Sequence, residues 1–312
     1  MHFELTILGS NGAIPAYDRH PTSQILNYNS NLFMVDCGEG TQFRMNKFNI
    51  KRGKLDNIFI SHLHGDHFFG LMGLITSLNL NWREHTLNIY GPPALEEIIN
   101  LHLKNSQTQL KFDIHFHPIV ADKPRLIYED HALSVETIVL KHRLPTTGFL
   151  FREKQGLRKM RGEKLDQYQI PVELIPALKK GDDFVTPEGL VIPNTELTTA
   201  PHAPRSYAYC SDTAYHEPII EQLQGIDLLY HEATFISEHQ ARAEETFHST
   251  GKQAASIAKQ AGVGKLVIGH FSARYENLHP LLDEARAVFP ATELALEGQT
   301  FSIQQVAGST VA

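Results

Sequence analysis

A chain of 312 residues, 42% hydrophobic and 20% charged, is long enough for a sizeable core and has the composition of an ordinary globular protein. Its formal net charge of −7 argues against a generally sticky nucleic-acid binder but leaves room for a local basic patch. Cys37 and Cys210 are the only cysteines, far apart and without a CxxC pair, which excludes a disulfide framework and a thiolate zinc site. The 18 histidines leave nitrogen and oxygen as the available metal ligands. The opening MHFELTILGS has no basic stretch leading into a long apolar run, and no segment approaches the ~20 apolar residues that span a bilayer. A cytoplasmic chain with no membrane partner is therefore expected.

In chain order, apolar runs at 3–8, 24–28 and 31–35 read as strands, and 38–48 as the start and body of a helix. A strand at 57–60 feeds a histidine-rich turn, and 71–80 reads as a helix. A strand at 86–90 follows, and Pro92 and Pro93 open a helix to about 104, with proline where helices tolerate it. Further strands are expected at 114–116, 133–139, 147–151, 207–210, 228–230 and 266–269. Thr250 and Gln253 have the spacing of a capping box opening a helix to about 261, which Gly262 ends; a last helix is expected at 278–288. No tandem repeat or low-complexity segment interrupts the series. Strands interleaved with helices predict an α/β fold of sheets covered by helices.

One stretch, about 153–200, breaks the pattern with frequent prolines and glycines and short strand signals. It begins with the basic cluster Arg152, Lys154, Arg158, Lys159, Arg161 and Lys164. A section of this length inside a compact domain is a functional or protruding element, or a solvated surface excursion.

Chemistry concentrates in HLHGDH at 62–67. His62 and His64 sit two apart just past a strand, so an extended backbone points both rings to one side. Gly65 permits a sharp turn that swings Asp66 and His67 back to the same place. Four good ligands within six residues are hard to explain as packing; imidazole with carboxylate suits zinc, with manganese or iron as alternatives. Four ligands serve one metal or half-serve two, and a two-metal site needs about six or seven groups. His142, Asp212 and His270 each stand just beyond an apolar strand, where they can line one rim, with Asp212 able to bridge two metals.

HLHGDH resembles the HxHxDH signature of the metallo-β-lactamase superfamily, and His142, Asp212 (in SDT) and His270 match its later ligands in order. The resemblance implies a four-layer αββα sandwich, with His62, His64 and His142 on one zinc, Asp66, His67 and His270 on the other, and Asp212 between them. The metal set alone does not choose among thioesterases, lactamases and phosphodiesterases. Four further motifs, GEGTQ at 38–42, HEATF at 231–235, HST at 248–250 and HFSARY at 270–275, resemble the ribonuclease Z family of transfer-RNA 3′-processing endonucleases.

That resemblance implies one domain over 1–312 with an arm at about 153–200 that grips precursor transfer RNA across a homodimer. It implies two zinc ions per subunit and no organic cofactor. Hydroxide shared by two zincs would attack the phosphate, leaving a 3′-hydroxyl on the transfer RNA and a 5′-phosphate on the trailer. His248 is the expected acid for the leaving oxygen, with Glu232 orienting it and Asp66 handling the water's proton. Ser272 and Arg274 are expected near phosphate, and Lys154, Arg158, Lys159, Arg161 and Lys164 on the RNA backbone. Two segments depart from the family pattern: the apolar IPVELIPAL at 170–178 replaces a Gly-Pro-rich arm tip, and GAIPAYDRHPTS replaces a GTP-containing opening. The rivals are a phosphodiesterase for small diesters, a glyoxalase-II-like thioesterase, and a non-catalytic RNA-binding protein on the same fold. The thioesterase should carry a C-terminal helical segment, whereas only about forty residues follow His270; the last rival should have lost ligands.

Overall fold

The computed structural model describes residues 2–304. The chain divides into two compact units, one of Met1–Tyr128, Val135–Phe151 and Arg205–Ala312, the other of Glu129–Ser134 and Arg152–Pro204. The first unit opens with β1 (Phe3–Gly9), β2 (Ser23–Tyr28) and β3 (Asn31–Cys37), an antiparallel meander. Asn29 and Ser30 both take positive φ, 49° and 74°, the two-residue hairpin geometry that matches strand twist. Parallel strands β4 (Leu55–Phe59), β5 (Leu87–Gly91) and β6 (Ile114–Pro118) extend the sheet.

The second sheet starts with β7 (Leu126–Glu129), β8 (Leu133–Leu140) and β9 (Thr146–Glu153). The chain then builds β10 (Lys159–Met160), β11 (Phe184–Val185), β12 (Val191–Ile192) and β13 (Thr198–Thr199) in the second unit. It returns as β14 (Ser206–Cys210), β15 (Leu228–Glu232), β16 (Lys265–Gly269) and β17 (Thr292–Leu294), all mutually parallel, so their C-terminal ends emerge on one side. The sheet order is β17-β16-β15-β14-β9-β8-β7, and β18 (Thr300–Ser302) pairs with β1 to close the first sheet at seven strands.

Three apolar layers hold this unit together. The helices Thr41–Lys47, Leu71–Leu80 and Ala94–Asn105 cover the first sheet through Met34, Met45, Ile58, Leu74, Ile89 and Leu95. Leu71, Leu74, Ile75 and Leu78 recur at the spacing that buries one stripe of a helix. Between the sheets, Phe33 and Phe59 meet Phe149 and Phe151 with ring centroids 5.4–6.1 Å apart. Beyond the second sheet, the helix Gly251–Ala261 packs Ala254, Ile257, Ala258 and Ala261 onto Leu229, Leu266 and Ile268. The result is the αββα sandwich. No helix of the described residues is long and apolar enough to cross a membrane.

The stretch that breaks the sequence pattern is an ordered unit. It has its own core of Ile170, Leu178, Phe184, Ile192 and Leu197, with short helices Gly162–Gln167, Ile175–Lys180 and Asn194–Leu197 and two hairpins. Buried Asn194 ties it together, donating through Nδ2 to the carbonyls of Leu178 (2.7 Å) and Asp182 (2.6 Å) and accepting from the Thr198 hydroxyl (2.7 Å). Elements of two to six residues are too short to print a period on the sequence.

Candidate metal centre

His62 and His64 follow β4, His64 in extended backbone, and His62 Nε2 lies 2.9 Å from His64 Nδ1. The short helix Gly65–Phe68 then brings Asp66 and His67 back. Gly65 is absent from the residues with positive φ, so its backbone is not the reason for glycine. A Cβ at 65 would stand 2.2 Å from the exposed ring of Phe69, and the turn expected there is the start of a short helix.

His142 follows β8, with Nε2 3.3 Å from His64 Nδ1. Asp212 and His270 follow the parallel strands β14 and β16 in the left-handed region, with φ of 58° and 56°. Such values are uncommon outside glycine and are held by surrounding structure. The carboxylate of Asp212 faces two ways. Its Oδ2 is 3.6 Å from both His62 Nε2 and His142 Nε2, and its Oδ1 is 3.2 Å from His67 Nε2 and 3.1 Å from His270 Nε2. Asp66 Oδ2 is 3.4 Å from His270 Nε2 and 3.5 Å from His67 Nε2. The donor atoms form two sets, His62, His64, His142 and Asp212, and Asp66, His67 and His270, each within 4.8 Å.

A second ring of hydrogen bonds aims these imidazoles. Asp36 Oδ2 accepts from His67 Nδ1 at 2.7 Å, the Phe247 carbonyl from His142 Nδ1 at 2.9 Å, and Thr234 Oγ1 from His270 Nδ1 at 2.9 Å. Ser61 Oγ donates to Asp36 and so accepts from His62 Nδ1 at 3.0 Å. With each Nδ1 protonated, each Nε2 lone pair points inward, the arrangement that orients metal-binding histidines. The buried Nε2 of His67 has no hydrogen-bond partner. The donor set and this orphaned atom fit a divalent metal.

The electrostatics agree. Burial lowers the pKa of His62, His64 and His142, with help from neighbouring imidazoles, which favours the neutral form that binds metal. Burial opposes ionisation of Asp212 and Asp66, but surrounding imidazoles outweigh it and hold both below the usual carboxylate range. Burial likewise opposes charge on His67, yet Asp212, Asp66 and Asp36 push it well up, so this half of the cluster attracts positive charge.

Glu232, at the end of β15 and fully buried, accepts from Thr213 N (2.7 Å), Ser249 N (3.0 Å), Thr234 Oγ1 (2.6 Å) and His248 Nδ1 (2.8 Å). Against the opposing effect of burial, the Glu232 carboxylate raises His248 to about 9. Asp212, His248 and His270 also lie close enough to share an ion. However, His248 is tied to Glu232 and favours its charged form, unlike the neutral His62, His64 and His142. All these groups line or underlie a cleft of about 910 Å³, whose wall includes Phe69, Arg143, Arg242, Phe247, Ser272 and Arg274.

Sequence reasoning overlooked Asp36, Thr234, Ser61 and the backbone N–H of Ala13, which donates to Asp66 Oδ2 at 2.7 Å. The available signal was an acid closing the apolar strand FMVD just before GEG. Lys154, Arg158, Lys159, Arg161 and Lys164 all belong to the second unit. There Lys154 pairs with Glu129 (3.0 Å), Lys164 with Glu196 (3.2 Å), and Arg158 Nε donates to Thr198 Oγ1 (2.7 Å).

Residues 3–157 match a family described as anti-Pycsar protein Apyc1, and residues 168–271 a β-lactamase superfamily domain. The chain is 49% identical to ribonuclease Z of Bacteroides fragilis (strain YCH46) over 96% of its length and 99% of that protein. It is 50% identical to ribonuclease Z of Parabacteroides distasonis, again covering 96% and 99%. The crystal structure of human tRNase Z, short form, superposes with a TM-score of 0.71 at 26% identity, covering 96% of this chain and 99% of that one. Fold and site thus define a metal-dependent hydrolase with the metallo-β-lactamase fold. Within that class the chain belongs to the ribonuclease Z family and is an endoribonuclease.

Proposed function

We propose that this enzyme removes the 3′ trailer from precursor transfer RNA, using two zinc ions per subunit, as a cytoplasmic homodimer. The observation that carries the reading is the placement of Asp212 between two donor sets, beside a His248 held by buried Glu232. His62, His64 and His142 would hold one ion, Asp66, His67 and His270 the other, and Asp212 both. Such a pair of ions supplies an acidified water and positive charge against a phosphoryl group.

The remaining steps belong to side chains. Asp66, ionised among His67 and His270, orients the attacking water through a carboxylate oxygen and handles its proton. His248 delivers its Nε2 proton to the leaving O3′ while Glu232 holds Nδ1 and balances the charge. Arg274 and Ser272, in the cleft wall, engage phosphate. The basic residues of the second unit, Lys154, Arg158, Lys159, Arg161 and Lys164, contact the RNA backbone.

The test is incubation of zinc-loaded protein with a precursor transfer RNA bearing a 3′ trailer. The cut is expected next to the discriminator base. Failure on this RNA together with good hydrolysis of a small phosphodiester would replace the reading by that of a small-diester phosphodiesterase.

A further inference from the structure

Phe69 stands 66% exposed in the cleft wall, while its neighbour Phe68 is 8% exposed and joins the core under the first sheet. The two rings meet edge to face with centroids 5.0 Å apart. The Phe69 amide donates to the Gly65 carbonyl at 2.9 Å, which fixes the backbone that carries the ring. The ring rests on Gly65, where any Cβ would collide with it, and Gly65 is flanked in sequence by the donors His64 and Asp66.

A bare aromatic surface here, in a cleft that also carries Arg143, Arg242 and Arg274, pairs a stacking platform with cations. That is the combination by which proteins hold single-stranded nucleic acid without reading its sequence, because every base has a π-face. We propose that Phe69 stacks on the base of a nucleotide flanking the scissile phosphate, fixing an unpaired RNA segment across the metal centre. This inference rests on the RNA-cleaving function proposed above.

The experiment crosses enzyme and substrate changes. Wild type, Phe69→Ala and Phe69→Trp are assayed on precursor transfer RNA and on versions abasic at the nucleotide on either side of the cut. Metal content and melting temperature confirm that each variant is folded. Phe69→Ala is expected to lose roughly 5- to 150-fold in kcat/KM, the size of one base–aromatic stack, and Phe69→Trp to keep most of the rate. One abasic substitution should cost the wild type a similar factor, a readout independent of any variant's folding, and should erase its advantage over Phe69→Ala. A Phe69→Ala enzyme as fast as wild type overturns the inference, as does a loss that persists undiminished on both abasic RNAs. Absence of cleavage by the wild type would remove the RNA reading, and the stacking role with it.

Discussion

Asp36 accepts four hydrogen bonds, from Ser61 N and Oγ at 2.8 Å each, His67 Nδ1 at 2.7 Å and Tyr209 at 2.6 Å. Three of the four converge on Oδ2. Asp36→Asn puts an amide N–H among donors and loosens His67. Metal affinity in a chelator competition should fall about 10- to 100-fold, as when other outer partners of metal-binding histidines are lost. Unchanged affinity would show that His67 needs no such anchor. His248→Ala is expected to keep its metal and lose roughly 100- to 10,000-fold in kcat, the usual range for a general acid. Metal loss from that variant would instead make His248 a ligand. At this scale the sequence was informative where the donors that the fold brings together are clustered or follow a strand, as in HLHGDH and at Asp212. It marked Asp36 only as an acid closing a strand, because its partner Tyr209 lies 173 positions away and becomes a neighbour only when the two sheets face each other.

Among the elements, the helix Gly251–Ala261 was the most legible. Thr250 Oγ1 accepts from Gln253 N (3.2 Å), the Gln253 side chain accepts from Thr250 N (2.9 Å), and Gly262 ends the helix at φ 60°. These are local interactions that need no tertiary contact to be foreseen. Thr250→Ala should destabilise the protein by about 0.5–2 kcal/mol, read from the denaturant midpoint. No shift would mean that packing of the helix face, not its cap, holds this end. The second unit was the least legible, since its fold depends on one buried asparagine and five apolar residues scattered over short elements. If its basic residues hold RNA, replacing residues 155–203 with a flexible linker should raise the KM for transfer RNA more than that for a small diester. Equal loss on both substrates would make the unit a structural support.

Across the whole molecule, function follows from parallel strands ending together. β14, β15 and β16 run in register, so Asp212, Glu232 and His270 arrive on one rim, where the turn after β4 and the residue after β8 add the rest. This convergence concentrates the buried carboxylates Asp36, Asp212 and Glu232 in one region of the protein. Removing metal should therefore lower the melting temperature. Restoring zinc to about 100 times its dissociation constant should return roughly 2.7 kcal/mol, measured by thermal unfolding with and without chelator. A melting temperature indifferent to metal would contradict the centre.

The most direct measurement is the chemistry of the cut ends. Precursor transfer RNA is incubated with metal-loaded and with chelated protein, and both new termini are identified. Metal-loaded protein should leave a 3′-hydroxyl on the transfer RNA and a 5′-phosphate on the trailer, and chelated protein should leave the RNA intact. A 2′,3′-cyclic phosphate would mean that the RNA's own hydroxyl made the attack. That product, or cutting that survives chelation, would contradict metal-assisted hydrolysis by water.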